Sequence, residues 1–554
     1  MIKKIIALFC TLIMLSLCLV SCKDELPKDT AAGNTTNGAV ILTSELADYT
    51  IVYSKNCDAK TVRKIDVLSA KLYSLYGVAV KTSLDSKCEE SEKEILVGYT
   101  NRAESLEFLS DFRSCDYGYA MVGGKLCIAG ATDEYTVMAI DEFMRTMLAK
   151  TSEKWELSAP NVTKGEYTVD DLKLNGESIK GWSVSYASEN KNSEKDIALL
   201  IRDKIAEVSG FAPFLCTDKD NVTDKVITVS ASDCDASVAV SGNRIDICGR
   251  DTEALMQAAT TLLNKLSGAA VNGSVLEATL ENNPTLSQYL TVMSFNVRFD
   301  LTENAGVSRV DAAVAQIRDL SPDVFGIQED SQQWCSLLDQ KLTEYTAVRS
   351  LLQAGKDEYL TIYYKTDAFT KVKSGLLWLS DTPSTPNSKF SESSMTRAMS
   401  YVILENKTNG ARFCFVNTHL EHTASSDVAE IRKVARQKQT QVLLEQTAKI
   451  TADYGNIPSI MVGDFNTTAN DSIHSTIRMS GYRDCRTDAL SISSQGTWND
   501  GYYGGSVNAS SDVLDFCYVS ENGFYICSYK TSTDKYNNMY TSDHFPIVIK
   551  LLLY

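Results

Sequence analysis

Two stretches of this chain lie over one another without a gap. "GGKLCIAGATDEYTVMAIDEFMRTML" (123–148) aligns with "GNRIDICGRDTEALMQAATTLLNKLS" (242–267), matching Gly123 to Gly242, Leu126 to Ile245, Ile128 to Ile247, Gly130 to Gly249 and Glu134 to Glu253. Each copy reads as a hairpin turned at Gly-Gly or Gly-Asn, then a strand, then an amphipathic helix. Upstream of each comes a strand ("YTIVY", 49–53; "WSVSY", 182–186), a helix (60–76; 194–209) and another apolar run ("EILVG", 94–98; "KVITVS", 225–230). A unit that occurs twice constrains the front half to two related small α/β modules, 46–150 and 179–285, with 151–178 as a polar linker. Neither module contains a histidine, so both read as spacer or binding scaffold and neither is given a catalytic role.

The chain opens with "MIKKIIALFCTLIMLSLCLVSCKDE", in which Lys3 and Lys4 precede an apolar stretch from Ile5 to Val20, followed by Ser21 and Cys22. That is the layout of a signal peptide over 1–21, too short and wrongly flanked for a stable membrane span. "LVSC" resembles the bacterial lipobox, which implies that Cys22 becomes the lipidated first residue of the mature chain. The segment 22–45 begins with the polar run "KDELPKDTAAGNTTNGAV" and is expected to be a flexible tether. The protein is therefore expected at the cell surface or periplasmic face, a monomer held to the membrane through Cys22, because no later run approaches spanning length.

Loss of Lys3 and Lys4 takes the formal charge from −17 to −19. So acidic a chain is a poor general polyanion binder, although a nuclease whose metal supplies the positive charge is still allowed. Many cysteines sit inside apolar runs (Cys127, Cys248, Cys414, Cys517, Cys527) and read as small buried hydrophobes. There is no CxxC and no His/Cys cluster at zinc spacing.

From residue 290 the chain changes character. All four histidines, His419, His422, His474 and His544, lie beyond this point. Apolar strands here end on, or carry, polar groups suited to chemistry. "TVMSFNVRFD" carries Asn296, "PDVFGIQED" carries Glu329, and "RFCFVNTHLEH" carries Asn417 and His419. "SIMVGDFN" carries Asp464 and Asn466, "DVLDFCYVS" carries Asp515, and "YTSDHFPIVIKLLLY" carries Asp543 and His544. Strand alternation points Asp464 and Asn466 together while Phe465 turns to the core. A lone Asp after a strand is usually a turn or cap residue. Six such strand ends in one domain-sized stretch ask for a common site.

The order Asn296, "QE" (328–329), "NTHL" (417–420), "GDFN" (463–466), "LDF" (514–516) and "SDH" (542–544) closely resembles the endonuclease/exonuclease/phosphatase superfamily, the deoxyribonuclease-I-like, metal-dependent phosphoesterases. The likeness covers 289–554. It implies a two-sheet α/β sandwich with helices outside and the site at one rim, and the periodicity of 307–320 and 426–450 fits two of those helices. It also implies Asn296, Glu329 and Asp543 as hard-oxygen ligands for Mg²⁺ or Mn²⁺. Asp464 is then the group that orients and deprotonates the attacking water, with Asn466 holding phosphate or Asp464. His544 is expected to donate to phosphate with its tautomer fixed by Asp515, and His419 to stabilise the opposite side. Arg397 and Asn417 are expected to contact substrate. Trp498, in "GTWNDGYYGG", either stacks on a base or sugar or anchors its Gly/Tyr loop. His422 lines the rim or a solvated loop, and His474 reads as structural.

The substrate class is left open at this level: the superfamily cleaves DNA, RNA and small phosphoesters, and fold kinship does not choose. A basic arm for duplex phosphates is missing, which leaves a small phosphoester or nucleic-acid fragments. The front half, with "VGYTNR" at 97–102, resembles small α/β domains placed ahead of catalytic domains in secreted carbohydrate-acting enzymes, which implies glycan contact. Two rival readings follow from that. One is a non-catalytic glycan-binding lipoprotein with an inert back domain, which predicts an eroded site although every position is filled. The other is a glycosidase, which needs two acids flanking a sugar where this chain offers histidines and amides.

Overall fold

Both copies of the repeat build the same sheet. In the first, strands run in the order Lys81–Leu84, Thr50–Tyr53, Glu94–Val97, Lys125–Gly130, Tyr117–Val122; in the second, Phe214–Thr217, Trp182–Tyr186, Lys225–Ala231, Arg244–Gly249, Ser237–Ser241. In each, the first four strands are mutually parallel and the hairpin partner closes the row antiparallel. Helices Ala59–Tyr76 and Asp133–Met147 of the first copy correspond to Glu194–Ser209 and Thr252–Ser267 of the second. The repeated glycines Gly130 and Gly249 have a steric cause. A Cβ there would lie 2.3 Å from Tyr135 C or 2.5 Å from Leu255 N, where the following helix starts against the strand end.

This computed structural model describes residues 39–220, 224–301, 306–349, 351–353, 355–422, 427–499 and 512–554. The expected signal peptide (1–21), Cys22 and the tether as far as residue 38 lie outside the described residues. Among the described residues no helix is long and apolar enough to cross a membrane.

The tether and linker hold more structure than their polarity suggests. Ala39–Leu42, at the end of the expected tether, pairs antiparallel with Lys154–Leu157 of the expected linker 151–178. The cause is apolar: Ile41 and Trp155 are buried in the core of the first module. Further along the same linker, Asn161–Thr163 adds a strand to the first sheet, and Asp171–Leu174 pairs with Val275–Ala278 in a small four-stranded sheet.

The back half is a two-layer sandwich. One sheet has seven strands, in the order Tyr345–Val348, Tyr359–Lys365, Val324–Asp330, Leu290–Asn296, Ile547–Leu553, Phe524–Thr531, Ser491–Ser493. The other has six, in the order Phe369–Trp378, Ala398–Asn406, Arg412–His419, Ser459–Asp464, Asp515–Ser520, Tyr482–Asp484. Between them lies an apolar layer that includes Val292, Ile362, Phe413, Phe415, Val462 and Ile549. Helices Gly306–Leu320 and Gln332–Lys341 cover part of the seven-stranded sheet, and Ala429–Ala452 with Ser472–Met479 covers the six-stranded one. The expected α/β sandwich with outer helices is what the chain forms.

One portion of the seven-stranded sheet is covered differently. Cys527 and Leu552 are buried in the same cluster as Leu255, Leu262 and Leu266 of the second front module. Lys550 Nζ pairs with Glu253 at 2.5 Å, and the Tyr289 hydroxyl donates to Glu253 O. Helix Thr252–Ser267 thus serves two sheets, its own and the outer face of the sandwich.

Candidate active site

The site sits where central strands of both sheets end at one rim. Asn296 ends the Leu290–Asn296 strand; Glu329 lies one residue before the end of Val324–Asp330, which pairs parallel with it. On the other sheet His419 is opposite Asp464 across a parallel pair, and Asp464 is opposite Asp515 across an antiparallel one. Backbone register thus sets His419, Asp464 and Asp515 side by side in one sheet, and the packing of the two sheets brings Asn296 within hydrogen-bond distance of Asp464, 168 positions away.

Local irregularities aim the side chains. The pairing between Val324–Asp330 and Tyr359–Lys365 shifts register between Ile327 and Asp330, and Glu329 adopts φ +61° inside that bulge. Bulges re-aim side chains, and a non-glycine residue at positive φ persists only where its surroundings hold it. Here Asn296 Nδ2 donates to Glu329 Oε1 at 2.9 Å and the Phe299 amide donates to Oε2 at 3.1 Å. Asn466 is also at positive φ, +52°; its amide N–H donates to Asp464 Oδ1 at 2.8 Å and its Nδ2 to Leu420 O at 3.1 Å.

Asp464 is the hub. It is buried, it accepts from Asn296 Nδ2 at 3.1 Å, and its Oδ2 stands 3.6 Å from His419 Nε2 and 3.7 Å from His544 Nε2. Burial pushes its carboxyl up to about 7, with Asp515 and Glu329 adding to the rise and His544 opposing it. The two imidazoles are in opposite electrostatic situations. His419 is held well below its ordinary range by burial, by Arg397 and by His544, so it is neutral. For His544 burial acts downward, but Asp515 and Asp464 outweigh it and raise the ring to about 10. Asp515 Oδ2 is 2.8 Å from His544 Nδ1, which leaves Nε2 facing the mouth of the site.

Glu329, His419, Asp464, Asn466 and His544 line a cavity of about 480 Å³. Arg397 reaches it from the six-stranded sheet, 3% exposed, with Nε and Nη1 making no hydrogen bond among the described residues. His422 lines the rim, 3.0 Å from Glu421 Oε1. Sequence reasoning missed Glu358, Phe299 and Met395, which also line the cavity. Glu358 immediately precedes strand Tyr359–Lys365, whose Tyr359 pairs with Asp330; a residue that enters a strand has no strand-end signal to betray it.

One expectation needs correction, and two further residues, Asp543 and Trp498, stand outside the cavity lining. Asn417, expected to touch substrate, is wholly buried one layer below the rim and ties the two sheets together. Its Nδ2 donates to Ile327 O at 2.8 Å and Thr361 O at 3.0 Å, and its Oδ1 accepts from Gln328 Nε2 at 2.7 Å. Gly326 leaves room for it, since a Cβ there would lie 2.6 Å from Asn417 Cγ. Asp543, expected as a metal ligand, pairs with Arg298 Nη1 at 3.3 Å and belongs to neither cluster of converging ligand atoms. Trp498 is brought beside His544 by an isolated backbone bridge and is not among the residues lining the cavity; residues 500–511, which complete its loop, lie outside the described ones. His474 is structural as expected, buried with Nδ1 2.6 Å from the Tyr518 hydroxyl.

The donor set suits a small hard cation. Ligand atoms of Glu329, His419 and Asp464 lie within 4.8 Å of one another, as do those of Asp464, Asp515 and His544. Glu329 and Asp464 share a single amide group as donor. Two carboxylates so arranged call for positive charge between them, and oxygen-rich sets of this kind are matched to Mg²⁺-like ions.

The profile described as the Endonuclease/Exonuclease/phosphatase family matches residues 293–544. Among solved structures, an endonuclease/exonuclease/phosphatase family protein from Bacteroides thetaiotaomicron is 25% identical, covering 48% of this chain and 96% of its own, with a TM-score of 0.44. A mannosyl-6-phosphatase from the same organism is 26% identical over 48% of this chain and all of its own, TM-score 0.43. The human Nocturnin catalytic domain, solved with bound sulfate, is 19% identical over 48% and 95%, TM-score 0.38. No curated protein matches the chain.

Proposed function

Because residues 293–544 form a domain of the endonuclease/exonuclease/phosphatase family, whose members are phosphoric ester hydrolases, we propose that this protein hydrolyses a small phosphoester by in-line attack of water, with Mg²⁺ or Mn²⁺ as cofactor. One observation carries the reading: Asp464 meets the Nε2 atoms of His419 and His544 at 3.6 and 3.7 Å, beside Glu329.

Glu329 and Asp464 would hold the cation, and Asn296, whose Nδ2 donates to both carboxylates, would orient them. Bound there, a divalent ion polarises a phosphoryl oxygen and lowers the pKa of its water. The chain's own groups do the rest. As the water oxygen bonds to phosphorus and the P–O bond to the alcohol breaks, Asp464 acts as the base that takes the water's proton, and the departing alkoxide is protonated from solvent. His544 donates from Nε2 to a phosphoryl oxygen, and Asp515 behind it keeps the ring charged and oriented. Arg397, a guanidinium on the cavity wall, supplies positive charge to the phosphate. His419, neutral, faces the phosphate from the other side.

The test is turnover of p-nitrophenyl phosphate and of bis-p-nitrophenyl phosphate by the whole protein with Mg²⁺, then in excess EDTA, then with Mg²⁺ or Mn²⁺ restored. Activity on at least one ester that is lost and regained supports the reading. Full turnover in EDTA overturns the cofactor, and inertness toward both esters overturns the hydrolase.

Anchorage at Cys22 belongs to the same proposal. Its test is Cys22→Ala, expected to move the protein from the membrane fraction to the soluble one.

A further inference from the structure

The groups that hold phosphate and activate water do not account for Glu358. Its side chain is 16% exposed, lines the cavity, and accepts no hydrogen bond among the described residues. The basic groups that pair with it, Arg397 Nη1 at 3.8 Å and His419 Nδ1 at 3.9 Å, both stand beyond hydrogen-bond reach. A carboxylate largely withdrawn from water and left without a donor is costly, and burial raises its pKa accordingly. Arg397 on the same wall is in the complementary condition, with two buried N–H groups and no acceptor.

The two cannot serve the same part of a substrate. A phosphate group offers oxygen acceptors, which suit Arg397 and are repelled by Glu358. Glu358 therefore faces the alcohol side of the ester, and the atom it meets must be a hydrogen-bond donor. The wall supplies a second requirement. Phe299 and Met395 are 41% and 42% exposed, and both line this cavity. A leaving group that fits must cover an aromatic face and donate from its edge. A sugar ring does both, with C–H groups on one face and hydroxyls around the rim, and the cavity is of the size that takes a small molecule.

We propose that Glu358 determines the leaving group, accepting a hydrogen bond from a hydroxyl of a phosphorylated carbohydrate whose ring rests on Phe299. This rests on the phosphoesterase reading above and names its substrate class. Glu358 is a specificity residue: it contacts the leaving group and takes no part in moving protons or electrons.

The test compares hexose 6-phosphates with p-nitrophenyl phosphate, which has no hydroxyl to offer, in the full protein with Mg²⁺. Glu358→Ala should lower kcat/KM for the preferred hexose phosphate by about 10- to 100-fold, as expected for losing a hydrogen bond to a charged group. It should act mainly through KM and leave p-nitrophenyl phosphate within about twofold. Glu358→Gln, which keeps an acceptor, should recover part of the loss. Removing the recognised hydroxyl from the sugar should cost the wild type as much as the substitution does, and cost Glu358→Ala nothing further. Equal losses on both esters would mean that Glu358 acts on phosphate through Arg397, and a raised Mg²⁺ requirement would mean that it cradles the ion; either overturns the proposal. A wild type that turns over p-nitrophenyl phosphate without favouring any hexose phosphate overturns this proposal alone. A wild type inert toward every ester overturns the hydrolase and this inference with it. Nucleoside monophosphates form a further arm, and a preference for them with the same Glu358 dependence would replace the sugar ring by a base and overturn the carbohydrate assignment.

Discussion

Asp515 Oδ2 stands 2.8 Å from Nδ1 of His544, on the side of the ring away from the cavity. The pair works as one unit if Asp515 acts only through the imidazole. Asp515→Asn should then lower kcat by about 10²-fold with metal affinity nearly unchanged, and His544→Ala by about 10²–10³-fold. The double variant should add little to the larger single loss, because groups acting together are not additive. Steady-state kinetics with Mg²⁺ titration decide. If Asp515→Asn weakens Mg²⁺ as strongly as Glu329→Gln does, Asp515 belongs among the ligands.

Asn417 should matter for stability and leave substrate binding alone. Replacing it by Ala removes the donor to Ile327 O and Thr361 O and the acceptor of Gln328 Nε2, all between the sheets. Unsatisfied buried groups and the small void together cost about 2–4 kcal/mol. Urea denaturation should show a lowered midpoint, with KM unchanged within about twofold under folding conditions. A raised KM at full stability would restore Asn417 to the substrate.

His474 makes the fold acid-sensitive. Burial depresses its ring from the ordinary range to about 4, so the folded state holds it neutral while the unfolded chain takes up a proton below about 6.5. The unfolded state binds more protons between those values, and stability falls as pH drops through that window, by at most about 2–3 kcal/mol. Denaturation midpoints from pH 7.5 to 4.5 should show the decline. His474→Gln should flatten this part of the profile while lowering stability at pH 7.5; an unchanged slope would assign the acid sensitivity elsewhere.

Residues 289–554 expressed alone should be less stable than their length suggests. Without helix Thr252–Ser267, Cys527 and Leu552 lose their cover. Expected outcomes are binding of a hydrophobic dye and aggregation on warming, relieved in a chain that starts at residue 169 and keeps the second module. Equal thermal stability of the two would show that the cover is dispensable.

The site was legible because its residues sit where strands end, and a strand can be read from a short apolar run. Alternation gives direction but not depth. Asn417 and His419 point the same way, and only the opposing sheet decides that one is buried and the other lines a cavity. A signal for this was present in "DVFGIQED": a glycine inside a strand marks a close approach, and Gly326 faces Asn417. Asp543 and His544 are neighbours and diverge, one to Arg298 and one to the cavity. In the linker, "KWEL" carried a period-two pattern, with Trp155 and Leu157 buried and their neighbours exposed, inside a stretch dismissed on composition.

The helix shared by the second module and the sandwich also sets an order of events. Domains fold as the chain is made, from the N-terminus onward. The repeat that ends near residue 278 can close its own core early, while one part of helix Thr252–Ser267 still lacks its far partner. That partner includes strand Ile547–Leu553, which in the finished sheet lies next to the domain's first strand, Leu290–Asn296. The seven-stranded sheet therefore cannot close until some 250 further residues have been synthesised, and when its last strand arrives a preformed surface is waiting for it. By that order of synthesis the second module would act as a template for the assembly of the C-terminal domain as well as a cover for it.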